Sequence, residues 1–138
     1  MSLELVIVTP DGEVFRGPVE AVLLPGTEGD FMVLEGHERF LSPLRIGEVE
    51  VRRAAGAPTL FAALSAGFAE VTGHEVVVTA EACELAANID VARAERARER
   101  AERELADTQR RQHEENVVRV TGASLQRALT RIAVAKHL

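Results

Sequence analysis

Asn88-Ile89-Asp90-Val91-Ala92-Arg93-Ala94 is where this chain changes character. Up to about Ala87 the residues alternate between apolar and polar over short runs broken by Gly and Pro. After this point they become one long, Ala-rich, charge-laced stretch. Two unlike modules therefore meet here, residues 1–87 and residues 88–138. Their charges differ as well: the front carries 14 acidic and 5 basic side chains, the back 8 acidic and 11 basic. Halves of opposite sign are drawn to surfaces of opposite sign, so the asymmetry bears on partners more than on fold.

Working forward from the junction, Asn88 is expected to cap a helix whose first turn contains Asp90, an acid placed where the helix dipole is positive. From Ile89 to roughly Glu115 there is no Gly or Pro, and a helix of that length would reach about 40 Å. Glu95 with Arg98, Glu99 with Arg103 and Arg100 with Glu104 stand at helical ion-pair spacing, each worth about 0.2–0.5 kcal/mol on a solvated face. Ala94, Ala97, Ala101, Leu105 and Thr108 form a narrow stripe of small residues against which a second helix can lie. Val117-Val118-Arg119-Val120-Thr121-Gly122 is poor helix material and is expected to mark a turn or a weak joint. Beyond it Leu125, Ala128, Leu129, Ile132 and Ala135 recur on one face, and Arg119, Arg127, Arg131 and Lys136 supply positive charge. The two helices are expected to form an antiparallel hairpin. Burial yields roughly 25 cal/mol per Å² of apolar surface, so an alanine seam is weaker than a leucine one and the second helix is expected to leave the first readily.

Working backward, Leu3, Leu5 and Ile7 alternate as in a strand with one buried face, and Pro10-Asp11-Gly12-Glu13 supplies turn chemistry before Val14-Phe15-Arg16. Further strands are expected at Val19–Leu24, Phe31–Leu34, Leu41–Leu44, Glu48–Arg52, Thr59–Leu64, Phe68–Val71 and His74–Thr79. Short strands with turns at this regular spacing indicate a sandwich or a barrel. The fold class is α+β, a β domain followed by a helical hairpin.

Nothing in the front module reads as an active site. His37 and His74 lie in turn-like stretches, where histidines are ordinarily solvated. Ser65-Ala66-Gly67 lacks the glycine spacing of a nucleophile elbow, and the glycines at 26, 29 and 36 are too scattered for a phosphate loop. Cys83 is a lone cysteine without metal-ligand neighbours and is expected to be a small buried hydrophobe. A net charge of −6 argues against a general nucleic-acid binder. No apolar run is long enough to span a bilayer and no secretory signal pattern opens the chain, so a soluble protein is expected.

The chain resembles the ε subunit of F-type ATP synthases, called δ in mitochondria, over nearly its whole length. The resemblance rests on Leu24-Pro25-Gly26-Thr27-Glu28-Gly29-Asp30 with Val33-Leu34-Glu35-Gly36-His37, on Ser65-Ala66-Gly67-Phe68-Ala69-Glu70-Val71, and on Ile89-Asp90-Val91-Ala92-Arg93-Ala94, in this order and spacing. It departs from the family pattern at Glu35, where many relatives have proline, and at Ala66, which replaces a glycine.

What the resemblance implies is an N-terminal antiparallel β-sandwich bound to the rotor-stalk γ subunit and resting on the c-ring, followed by a regulatory C-terminal helical hairpin. Asp30 and Gly36-His37-Glu38-Arg39-Phe40 correspond to the c-ring contact. In bacterial relatives the hairpin extends into the catalytic head of α and β subunits and blocks ATP hydrolysis; Arg127, Arg131 and Lys136 would then face the acidic edge of the β subunits. Some relatives bind ATP in the folded hairpin, and by position Glu84, Ile89, Asp90, Arg93, Ala94, Arg100, Arg127 and Arg131 would hold it. No cofactor is required for such a role; ATP enters as a regulatory ligand, not a substrate. The expected place is the cytoplasmic face of a bacterial inner membrane, attached peripherally, since no transit peptide precedes Met1. The competing reading is a free-standing nucleotide-sensing module whose sandwich merely carries the hairpin.

Overall fold

A computed structural model describes residues 3–111 and 115–138, with side chains described outside 108–118. Ten strands come first: β1 Leu3–Thr9, β2 Gly12–Val19, β3 Ala21–Gly26, β4 Gly29–Leu34, β5 Phe40–Leu44, β6 Gly47–Arg52, β7 Leu60–Leu64, β8 Gly67–Val71, β9 Glu75–Ala80 and β10 Cys83–Leu85. They pair in the order β10-β7-β6-β3-β5-β8-β9-β1-β2, with β4 attached to β3. Every pairing is antiparallel except that of β1 with β9, which runs parallel in the register Leu5 to Val76 and Ile7 to Val78.

Period-two alternation decides what each strand buries. Leu3, Leu5, Ile7, Val22, Leu24, Val49, Val51, Ala62, Leu64, Val76 and Val78 turn into one core of medium-sized side chains. Cys83 joins that core at 7% exposure, and burial, with Glu84 adding a smaller push, moves its thiol pKa up to about 12. The expected hairpin at Pro10–Gly12 joins β1 to β2, and Thr9 Oγ1 accepts from the Asp11 N–H there at 3.2 Å. The short β10, at the sheet edge on β7, is an element that the alternation did not predict.

The outward residues of β7 make a second cluster. Phe61 and Ala63 point away from the sandwich core and pack with Ala86, Ile89, Val134 and Ala135. This is the platform on which the second helix rests. A 3₁₀ turn, Ala86–Asn88, leads off it and ends at Ile89, whose backbone is extended.

Helix α1 runs Val91–Arg111 and helix α2 runs Glu115–Ala135, packed as a hairpin. The N-cap is Asp90 rather than Asn88: Asp90 Oδ1 accepts from the Arg93 N–H at 3.0 Å, and the Asp90 carbonyl accepts from Ala94. Asn88 is held in the 3₁₀ turn, so the cap passes to the next residue able to supply a side-chain oxygen. The expected weak joint at 117–122 is also corrected, because α2 continues through it. Thr121, at 5% exposure, is buried there, and its packing outweighs the roughly 1 kcal/mol penalty of Gly122 in a helix. Ala94 and Ala101 are buried as the stripe predicts, Ala97 and Leu105 are half-buried, and Thr108 and the side chains of Val117 and Val118 lie outside the described residues. On α2, Ala128 and Ile132 are buried as expected, whereas Leu129 is exposed and Thr130 and Val134 take inward positions. Leu129 moves outward because α2 must serve two surfaces, α1 and the β7 platform, which rotates its buried face toward Val134.

Candidate functional site

A pocket of about 410 Å³ lies where the start of α1, strand β10 and helix α2 converge. Its lining includes Glu84, Asp90, Arg93, Ala94, Arg100 and Arg131, and thus gathers six of the eight residues that the sequence singled out for a nucleotide. Asn88, Arg96 and Ala97 complete it; sequence reading missed them, although Arg96 and Ala97 stand three and four residues after Arg93, one helical turn on the same face.

Each side chain arrives for a local reason. Asp90 is fixed by its capping bond, which uses Oδ1 and leaves Oδ2 with acceptor capacity toward the pocket. Arg93 and Arg100 are two helical turns apart on α1 and both are exposed. Ala94 is 3% exposed and gives the pocket a small floor. Glu84 comes from the edge strand β10, and Arg131 from α2 crosses to it with Nε donating to Oε1 at 2.6 Å. The pocket therefore carries four guanidinium groups against two carboxylates, a net positive lining suited to a polyanion bearing hydrogen-bonding hydroxyls.

Two of the predicted residues stand elsewhere. Ile89 is buried on the β7 platform with Ala63, Ala86 and Val134, where it anchors the junction. Arg127 is half-buried on α2, and its Nη2 donates to Ser124 Oγ at 3.0 Å. Lys136, at the C-terminal end of α2, is exposed.

The end of α2 has a second attachment. The His137 ring stacks on Phe61 at a centroid distance of 3.7 Å and an interplanar angle of 8°, and its Nε2 lies 2.5 Å from Glu48 Oε1. The strand register explains the placement. Ala63 on β7 is paired with Glu48 on β6 and with Glu84 on β10, so two carboxylates flank a methyl group in one row across the sheet. Val134 seats near Ala63, while Arg131 and His137, three residues to either side of Val134, reach the two flanking acids.

At the other side of the sandwich, Asp30 and Phe40 line a shallow cavity of about 400 Å³ beside the β3–β4 turn. Asp30 is paired with Arg45. Phe40 meets Phe31 edge-on at 5.3 Å and His37 at 4.9 Å, and His37 Nδ1 lies 2.9 Å from the Glu38 carbonyl oxygen. Gly36 has φ of 81°, a left-handed turn that favours glycine, and Glu38 and Arg39 are exposed. Nearby on the outer face of β5 and β8, Leu41 is 67% and Phe68 55% exposed, and an apolar groove of about 660 Å³ runs past Phe68, Pro43 and Pro10. Among the described residues no group of His, Cys, Asp and Glu is placed to hold a metal ion. No described helix is long and apolar enough to cross a membrane.

Comparison with known proteins adds to this geometry. The family model for the ATP synthase delta/epsilon chain β-sandwich domain matches residues 2–86, and that for the ATP synthase delta/epsilon chain long α-helix domain matches residues 87–136. The chain is 43% identical over 135 residues to the ATP synthase epsilon chain of Syntrophobacter fumaroxidans, covering 98% of this chain and 96% of that one. It is 45% identical to the ATP synthase epsilon chain of Nitratidesulfovibrio vulgaris, covering 96% and 95% respectively. Among solved structures it is similar to a chain in the cryo-EM structure of Euglena gracilis mitochondrial ATP synthase, with a TM-score of 0.79, 24% identity and coverage of 99% of this chain and 82% of that one.

Proposed function

The chain belongs to the ATP synthase delta/epsilon family, and on that premise we propose that it is a non-catalytic, central-stalk subunit of a bacterial F-type ATP synthase. In this reading the sandwich binds the γ subunit of the rotor and, through Asp30 and the Gly36–Phe40 loop, rests on the c-ring at the cytoplasmic face of the membrane. The exposed Leu41 and Phe68 favour a stalk subunit over a free-standing nucleotide sensor, because they offer an apolar face that a partner would cover. The hairpin regulates. Folded, it lies on the β7 platform; extended, it would carry Arg127, Arg131 and Lys136 toward the acidic edge of the catalytic head and oppose hydrolysis.

The observation that carries the regulatory part is the convergence of Glu84 from β10, Asp90, Arg93 and Arg100 from α1 and its cap, and Arg131 from α2 on one pocket. A ligand held by all three elements binds only the folded hairpin. At a hundredfold excess over its dissociation constant it would stabilise that state by roughly 2.7 kcal/mol. ATP fits the chemistry, with arginines forking onto phosphate oxygens and the free acceptor capacity of Asp90 available to ribose hydroxyls. ATP would thus report energy supply and hold the inhibitor down.

The test is a titration of the isotope-labelled chain with ATP and ADP, followed by backbone amide shifts. Saturable, ATP-selective shifts at Asp90, Arg93, Arg100 and Arg131 are expected. Unmoved amides at those positions at millimolar ATP would overturn the sensing role and leave Asp90 as a helix cap alone.

A further inference from the structure

Three arginines of α1 face the pocket, Arg93, Arg96 and Arg100, and they share a property that Arg131 lacks. Arg131 is engaged by Glu84 at 2.6 Å. Among the described residues, no carboxylate stands within ion-pair distance of Arg93, Arg96 or Arg100, although α1 places Glu95, Glu99 and Glu102 close by in sequence. Glu95 is instead taken by Arg98, at 2.8 Å. Helix geometry aligns the three: at about 100° per residue, positions 93, 96 and 100 fall within a sector of about 60° and rise along the axis by about 10 Å. An exposed, unpaired row of like charges is unfavourable unless an anion joins it, and here the row lines a concavity.

Arg127 is placed differently. Its guanidinium is engaged by Ser124 on its own helix, and it does not contribute to the pocket lining. We propose that Arg96 is a phosphate-binding and specificity-determining residue of this pocket, so that a bound triphosphate runs along α1 over Arg93, Arg96 and Arg100 instead of crossing to Arg127. This rests on the nucleotide reading above and deepens it. Its consequence is a preference for three phosphates over two, since each further step along the row meets another unpaired guanidinium.

The experiment compares the full chain with Arg96→Gln, Arg96→Lys and Arg127→Gln, titrated by calorimetry with ATP, ADP and inorganic tripolyphosphate. Far-ultraviolet circular dichroism confirms that each variant keeps its helices, and Arg96 is exposed and Gln is a comparable helix former. Arg96→Gln is expected to weaken ATP binding tenfold or more and to narrow the ATP-to-ADP preference, with Arg96→Lys intermediate. The same variant should weaken tripolyphosphate to a similar degree, and Arg127→Gln should change ATP affinity less than threefold.

An Arg96→Gln effect below twofold, or an Arg127→Gln effect as large as that of Arg96→Gln, would overturn the assignment while leaving the nucleotide reading intact. Loss of ATP affinity with tripolyphosphate affinity unchanged would move Arg96 to the base or ribose and overturn its role as a phosphate contact. Absence of saturable ATP binding by the unaltered chain would remove both readings together.

Discussion

Arg131 on the second helix donates to Glu84 on the edge strand β10 at 2.6 Å, closing 47 residues of chain with one charge-assisted bond. Both partners are about a third exposed or less, so solvent screens the pair and its worth is about 1 kcal/mol. That is small against a domain's stability and large against the docking of an alanine-rich hairpin.

Replacing Glu84 with Gln keeps the shape and removes the charge. Amides of α2 between 128 and 135 should then exchange about fivefold faster, the equivalent of ~1 kcal/mol, while those of β1 and β9 stay as they were. If α2 exchanged at its original rate, the pair would contribute nothing to docking and the His137–Phe61 stack would have to hold the helix.

Ala66 has φ of 56°, the only described non-glycine residue in the left-handed region, and its neighbours hold it there: Ser65 donates to the Ala82 carbonyl and Glu81 donates to that of Ala66. The conformation costs about 1–2 kcal/mol for an L-residue, against about 0.4–1 kcal/mol of unfolded-state entropy that glycine would add. Ala66→Gly should therefore stabilise the sandwich by ~0.5–1 kcal/mol in urea unfolding. Gly67→Ala should do the opposite by about 3 kcal/mol or more, since its Cβ would stand 2.1 Å from the Thr79 carbonyl oxygen and 2.9 Å from Ala80 Cα.

Cys83 supplies the pH prediction. Burial raises its thiol from an ordinary value of 9.0 to about 12, so the folded state keeps its proton over a range where the unfolded chain releases it. More protons bound folded than unfolded means that stability falls as pH rises, by up to about 1.4 kcal/mol per unit above pH 9, and is unaffected by this group below it. Cys83→Ala should flatten that alkaline slope in denaturant titrations. At pH 8 the native thiol should resist a disulfide reagent until the protein unfolds; prompt native-state labelling would contradict the burial described above.

The strands of the sandwich were legible because alternation at Leu3-Leu5-Ile7 and at Val76-Val78 is a local signal. The partnership of β1 with β9 was not, since pairing across the whole domain leaves no mark on either strand alone. The helix cap shifted from Asn88 to Asp90 for a similar reason: both side chains can cap, and the preceding 3₁₀ turn chose between them. Val117–Gly122 misled because propensity is weak beside the burial of Thr121, which only the packed hairpin reveals. At the pocket, Glu84, Asp90, Arg93, Ala94, Arg100 and Arg131 follow from the family resemblance, whereas Arg96 carries no motif signal and emerges only from the lining itself. Ile89 and Arg127 were carried by resemblance and stand elsewhere in the folded hairpin. Whether a side chain faces a cavity or packs on β7 depends on the rotation of α2 toward Val134, and that rotation is set by the platform.

The parallel union of β1 with β9 also orders events in time. Strand β1 waits for β9, some seventy residues further along the chain, so the domain cannot close until those residues have been made, and closure at that separation is slow. The helices emerge afterward and fold on local contacts, which form in microseconds. Their docking on Phe61 and Ala63 of β7 therefore depends on a sandwich whose closure spans the whole domain, while the helices themselves need only their own neighbours.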